Sequence, residues 1–243
     1  MVLHRSTLDV VLVPGLDGTG TLFEPVIQAL GPGYAPHIVR YRPGLQSFEA
    51  HIEDVLTVVD GVARPLILVG ESFGGPVSVA VARARPDLVK ALCLVATFVT
   101  RPSWNTGLIR PLHRAVTSIP WPPALLRVVL GYLLAERGTD ARLMQQLVAV
   151  NDHRASAVLA HRLGITARVD QREALRELTI PVGYLGGTAD RIVPCARHAE
   201  LIRQLHPATR IEMLPGAPHM LLQLRAQACT ALIGELVAAA DLA

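Results

Sequence analysis

Lysine is almost missing from this chain. Lys90 stands alone, and the other 22 of the 23 basic residues are arginine. With so much alanine beside it, this bias fits the codon usage of a GC-rich genome and has no functional weight of its own. Aromatics make up only 4% of the 243 residues, and no basic run is interleaved with stacking rings. A nucleic-acid partner is therefore not expected, although the net charge is +3 and the pI about 9.0. Cysteine is scarce too. Cys93, Cys195 and Cys229 are odd in number and far apart, so no disulfide framework or metal knuckle follows. A reducing cytoplasm is the expected setting. Charged residues are only 18% against 51% hydrophobic, which excludes disorder. Mean hydropathy is +0.37, yet no apolar run reaches the roughly 18 residues of a membrane span. The most apolar stretch, residues 124–135, contains Arg127 and suits a buried or interfacial helix. The first residues lack the pattern of a secretion signal, since Asp9 soon follows His4 and Arg5.

What the chain does have is alternation. Strands are expected at Leu8–Val13, 37–41, 66–69, Val89–Val95, 182–185 and Arg210–Leu214, with helices at 21–30, Phe48–Val62 and 76–85. Strands that are apolar throughout and alternate with helices imply an α/β fold, a mostly parallel sheet of six or more strands covered on both faces. One segment breaks the rhythm. Residues 99–169 hold helices, prolines and no convincing strand, with 119–123 dividing them. An all-helical insertion of this length reads as a lid over a core made of residues 1–98 and 170–243.

The sharpest motif is Gly70-Glu71-Ser72-Phe73-Gly74, a G-x-S-x-G between a strand and a helix. A serine on that turn is exposed at the carboxyl end of the strand, and glycines on both sides let strand and helix approach. A serine needs a base. His219, in the loop after the sixth strand, is the histidine with a matching position. The base needs an orienting acid, and Asp190 after the fifth strand can fix the imidazole tautomer. Asp170 is the rival acid, but it precedes a helix. Backbone N–H groups of Phe73 and Leu16 would form an oxyanion hole, Leu16 coming from the glycine-rich loop after the first strand. That loop lacks the lysine of a nucleotide-binding P-loop and fits G-x-G-x-x-G poorly. Cys195 and His198 are three apart but have no second ligand pair for a metal.

The order Ser72, Asp190, His219, with the motifs GESFGG, GTADRIVP and GAPHM, resembles the α/β-hydrolase superfamily over nearly the whole chain. The resemblance implies a cofactor-free serine hydrolase with a helical lid. Few residues precede the first strand, so the extra hairpin common in that superfamily is not expected and the sheet should be short at that edge. Many relatives carry His-Gly in the oxyanion loop where this chain has Pro14-Gly15, which leaves the loop's side-chain support to be identified. The compact lid is similar to that of esterases for small acyl esters, including the pimeloyl-carrier-protein methyl ester esterases of biotin synthesis.

Hydrolysis of carboxylic esters of small to medium acyl chains is thus the leading expectation. Leu108, Ile109, Leu112, Trp121, Leu125 and Leu126 are the candidate lining of the acyl pocket. Acyl transfer to an alcohol, or a non-catalytic small-molecule binding module, are the alternatives. Residues 99–169 carry nine arginines against three acids, while the rest of the chain is net acidic. A basic lid would attract an acidic partner, such as an acyl carrier protein.

Overall fold

The computed structural model describes residues 7–102, 122–151 and 156–242. Six strands, β1 (Leu8–Val13), β2 (Tyr34–Ile38), β3 (Leu66–Glu71), β4 (Val89–Val95), β5 (Val182–Gly187) and β6 (Arg210–Leu214), form one sheet in the order β2-β1-β3-β4-β5-β6. Every pairing is parallel. The expected α/β architecture is therefore present.

The uniformly apolar strands follow from burial on both faces. Side chains alternate along a strand, so Val10 and Leu12 enter one core while Val11 and Val13 enter the other. Ile67 and Val69 against Leu66 and Leu68 repeat the pattern on β3. One face is covered by α1 (Glu24–Leu30), the short α9 (Leu221–Leu224) and the last long helix, α10 (Ala226–Ala239). The opposite face is covered by α2 (Phe48–Val62), α3 (Gly74–Ala84), α7 (Arg172–Glu177) and α8 (Cys195–Leu205).

Two expectations shift. The second strand is not 37–41 but Tyr34–Ile38, with Pro36 inside it. Proline is tolerated because β2 is an edge strand, and its register runs from Leu8 opposite Tyr34 to Leu12 opposite Ile38. The helix expected over 21–30 begins instead as a 3₁₀ turn, Thr21–Phe23, before α1, which has a proline in its first turn.

Between β4 and β5 the chain leaves the core at Val99 and returns beside it. Gln171 N–H donates to Val99 O at 2.7 Å, and Thr100 and Asp170 form an antiparallel bridge. Within the insertion lie α4 (Pro123–Leu134), α5 (Ala141–Val150) and α6 (Ser156–Thr166). Leu130, Leu143, Met144 and Leu147 pack together with Leu22 and Met220 of the core. The apolar helix α4 is less buried than its composition suggests. Leu130 is its buried residue, while Leu125, Val128 and Tyr132 face outward. No helix among the described residues is long and apolar enough to cross a membrane.

Because all six strands run the same way, the loops after β1, β3, β5 and β6 emerge at one edge of the sheet. In doubly wound folds that edge is where ligands bind. The turn after β3 is the most tightly built of these loops. A Cβ on Gly70 would stand 2.6 Å from Ser78 Oγ and 2.8 Å from Gly74 O, and one on Gly74 2.7 Å from Pro14 O. Gly70→Ala is expected to destabilise the fold by about 1–3 kcal/mol through overpacking, measured as a lower urea midpoint. An unchanged midpoint would contradict this account of the turn.

Candidate active site

Ser72 follows β3 directly and has φ of +51°, a left-handed conformation that a non-glycine residue adopts only when its surroundings impose it. Those surroundings are hydrogen bonds. Ser72 N–H donates to Val95 O at 3.0 Å, Ser72 O accepts from Gly75 N–H at 3.0 Å, and the Thr97 hydroxyl donates to the same carbonyl. The side chain is thereby turned up at the sheet edge, at the start of α3.

His219 lies five residues beyond β6 and reaches the same point. Its Nε2 is 3.0 Å from Ser72 Oγ, and its Nδ1 is 2.7 Å from Asp190 Oδ2. A carboxylate only accepts, so Nδ1 carries the proton and Nε2 offers its lone pair to the serine hydroxyl. Asp190, in the loop after β5, is held at both oxygens. Oδ1 accepts from the N–H groups of Ile192 and Val193, at 2.8 and 2.9 Å, and Oδ2 also takes the Cys195 thiol at 3.3 Å. The residues expected from sequence as nucleophile, base and acid are thus brought together in one chain of hydrogen bonds. The rival acid, Asp170, instead pairs with Arg172 at the root of the insertion.

The electrostatics follow from burial and pairing. Burial disfavours the His219 cation, but attraction and hydrogen bonding to Asp190, then attraction to Glu71, outweigh it and raise the imidazole's pKa above the usual 6.5. Burial likewise opposes ionisation of Asp190, yet attraction to His219, that hydrogen bond and the two backbone N–H donors hold its pKa below the usual value. Glu71 is the residue that the sequence motif hid. Burial pushes its pKa up to about 7, and Gln223 Nε2 donates to its Oε2 at 3.3 Å. It occupies the first of the two variable positions of G-x-S-x-G, so nothing in the pattern marks it.

The loop after β1 lies against the serine. A Cβ on Gly15 would stand 3.4 Å from Ser72 Cβ, so Leu16 is the next residue along a loop in contact with Ser72. Phe73 begins the first turn of α3, where backbone N–H groups lack helical acceptors. Of the expected acyl-pocket residues, Leu108, Ile109, Leu112 and Trp121 lie outside the described residues. Leu125 is 46% exposed, and Leu126 packs against the cluster that joins the insertion to Leu22 and Met220. The Cys195 thiol points to Asp190, and His198 Nε2 donates to Pro102 O.

Residues 10–232 match the alpha/beta hydrolase family. The chain is 27% identical over 214 residues to the pimeloyl-[acyl-carrier protein] methyl ester esterase of Vibrio campbellii, covering 83% of this chain and 84% of that one. The protein of the same name from Vibrio cholerae is 27% identical over 238 residues, covering 93% and 92%. Among solved structures, an esterase from Thermogutta terrifontis superposes with a TM-score of 0.77 at 21% identity, covering 96% of this chain and 90% of that one. With the family match running from within β1 through β6 and the loop that carries His219, this protein belongs to the alpha/beta hydrolase family.

Proposed function

We propose that the protein is a cofactor-free serine esterase that cleaves carboxylic esters of small to medium acyl chains. The observation that carries this reading is the continuous path from Ser72 Oγ through His219 to Asp190, at 3.0 and 2.7 Å. In the reaction, His219 Nε2 takes the hydroxyl proton as Ser72 Oγ attacks the acyl carbon. The N–H groups of Leu16 and Phe73 receive the oxyanion of the tetrahedral intermediate. The imidazolium, stabilised by Asp190, then protonates the departing alkoxide, leaving an acyl-serine. Water enters, gives a proton to His219 and attacks the acyl carbon. Collapse releases the acid and returns the proton to Ser72. Three buried free cysteines fit a reducing cytoplasm as the setting.

A carrier-protein-linked methyl ester is the proposed substrate. It is supported by what the Vibrio relatives are named for and by the nine arginines against three acids in residues 99–169. Opposite charge on a carrier protein would speed encounter and lose its effect as salt rises. At low ionic strength the carrier-linked ester should show a much higher kcat/KM than the free methyl ester, and about 0.5 M salt should erase most of the difference by screening. Equal rates at low salt would remove the carrier protein from the proposal and leave the esterase.

Ser72→Ala should lower kcat on a p-nitrophenyl ester by several orders of magnitude, on the order of 10⁶ by analogy with other serine hydrolases, with the fold retained by circular dichroism. Wild-type turnover in that variant would end the esterase reading.

The base must be neutral to accept the proton, and its pKa is raised, so kcat/KM should rise with pH through an inflection above 6.5. Glu71 contributes to that raise through its negative charge. Glu71→Gln should therefore move the inflection toward lower pH. An inflection below 6.5 in the wild type, or an upward move in the variant, would contradict the assignment of His219.

A further inference from the structure

The oxyanion loop is held through its backbone carbonyls. Three of its carbonyls are occupied. Tyr41 Oη donates to Pro14 O at 3.2 Å. One Arg162 nitrogen, Nη1, donates to both Leu16 O at 2.7 Å and Asp17 O at 2.9 Å. Each carbonyl belongs to the peptide plane that follows its residue. The planes between Pro14 and Gly15 and between Leu16 and Asp17 are therefore both anchored. The plane between them carries the Leu16 N–H, and its rotation is limited from both sides because backbone freedom resides only in φ and ψ. This fixes a donor that makes none of those contacts itself.

Arg162 does not come from the core. It lies on α6 of the insertion, 146 residues from Leu16, and is 3% exposed. Its Nε donates to His51 Nε2 at 3.1 Å, and its guanidinium lies 5.0 Å from the Tyr41 ring centroid. His51 is itself oriented, since its Nδ1 donates to Ser47 O at 2.6 Å, leaving Nε2 as the acceptor. His161, the preceding residue, donates from Nε2 to Gln46 O at 2.8 Å, so the helix is docked at two adjacent positions. Among the described residues no carboxylate lies within ion-pair distance of Arg162. Burying a cation without such a partner is costly, which a surface-packing role would not require. Arginine also suits the task for its shape. Its planar fork reaches two successive carbonyls and an imidazole in fixed directions, which a lysine ammonium cannot do. Gly18 makes room for it: with φ of +71°, a Cβ there would collide with Arg162 Nη1 and stand 2.8 Å from its Cζ.

We propose that Arg162 is a positioning residue of the oxyanion loop, so that docking of the insertion through α6 sets the aim of the Leu16 N–H. This rests on the esterase reading above and adds to it a coupling between insertion and hole. It also assigns the side-chain support that Pro14-Gly15 leaves open.

The test compares Arg162→Lys and Arg162→Gln with the wild type on p-nitrophenyl butyrate, alongside inhibition by an aliphatic trifluoromethyl ketone. The ketone adds the serine oxygen to form a tetrahedral oxyanion, so its affinity reports on the hole. Displacing a donor by an ångström or so should lower kcat by about 10²-fold with KM changed less than about twofold. Ketone affinity should fall by the same factor as kcat. A folded variant that keeps wild-type kcat, or loses kcat without losing ketone affinity, overturns the inference. Should Arg162→Gln fail to fold, Arg162→Lys keeps the charge and most of the stem and decides alone. The esterase reading fails separately: it falls if the wild type does not turn over the ester, or if Ser72→Ala does.

Discussion

An imidazole must be gripped at both nitrogens to be useful as a base beside a serine. His219 meets that requirement through residues far apart in sequence, with Asp190 on Nδ1 and Ser72 on Nε2. Neither contact survives unless the loops after β3, β5 and β6 end at the same height. The parallel register supplies that height, with Glu71 opposite Val95, Val95 opposite Leu185, and Gly187 opposite Leu214. The sheet's hydrophobic content thus bears directly on the site. Alternating burial on two faces holds the strands in register, and register places the hydrogen bonds.

The insertion adds a second level of constraint. It touches three loops of the site. Arg162 holds the loop after β1, Arg191 beside Asp190 donates to Tyr132 O at 2.7 Å, and Met220 beside His219 donates its N–H to Leu134 O at 3.1 Å. Arg225 and Glu136 add a bidentate pair at 2.7 and 2.8 Å close to the His219 loop. Such charge-assisted bonds fix orientation as well as distance. The helices between β4 and β5 therefore bear on the geometry of the polar residues beneath them, in addition to any part in substrate choice.

The sheet and the three polar residues were legible in the sequence because each rests on a local signal. A buried parallel strand is a short apolar run, and a serine on a tight turn needs glycines at fixed offsets. Asp190 and His219 could be chosen because they follow such runs. The sequence places the second strand at 37–41, whereas β2 begins at Tyr34 and includes Pro36, which only its edge position permits. The exposure of α4 was hidden for a related reason: composition reports apolarity but not which neighbours cover it. Arg162 left no trace, being one of nine arginines in residues 99–169 with partners on Leu16 and His51, more than a hundred residues away. Glu71 sits at one of the two motif positions that any residue can occupy.

The claim on which the rest depends is that Ser72 becomes acylated. The most direct measurement is rapid quench of the enzyme with a p-nitrophenyl ester at acidic pH, followed by intact-mass and peptide mass spectrometry. The account predicts a transient mass increase equal to one acyl group, located on the peptide containing Ser72 and absent in Asp190→Ala at the same early times. An acyl group on another residue, or ester turnover with no covalent adduct at any quench time, would contradict it.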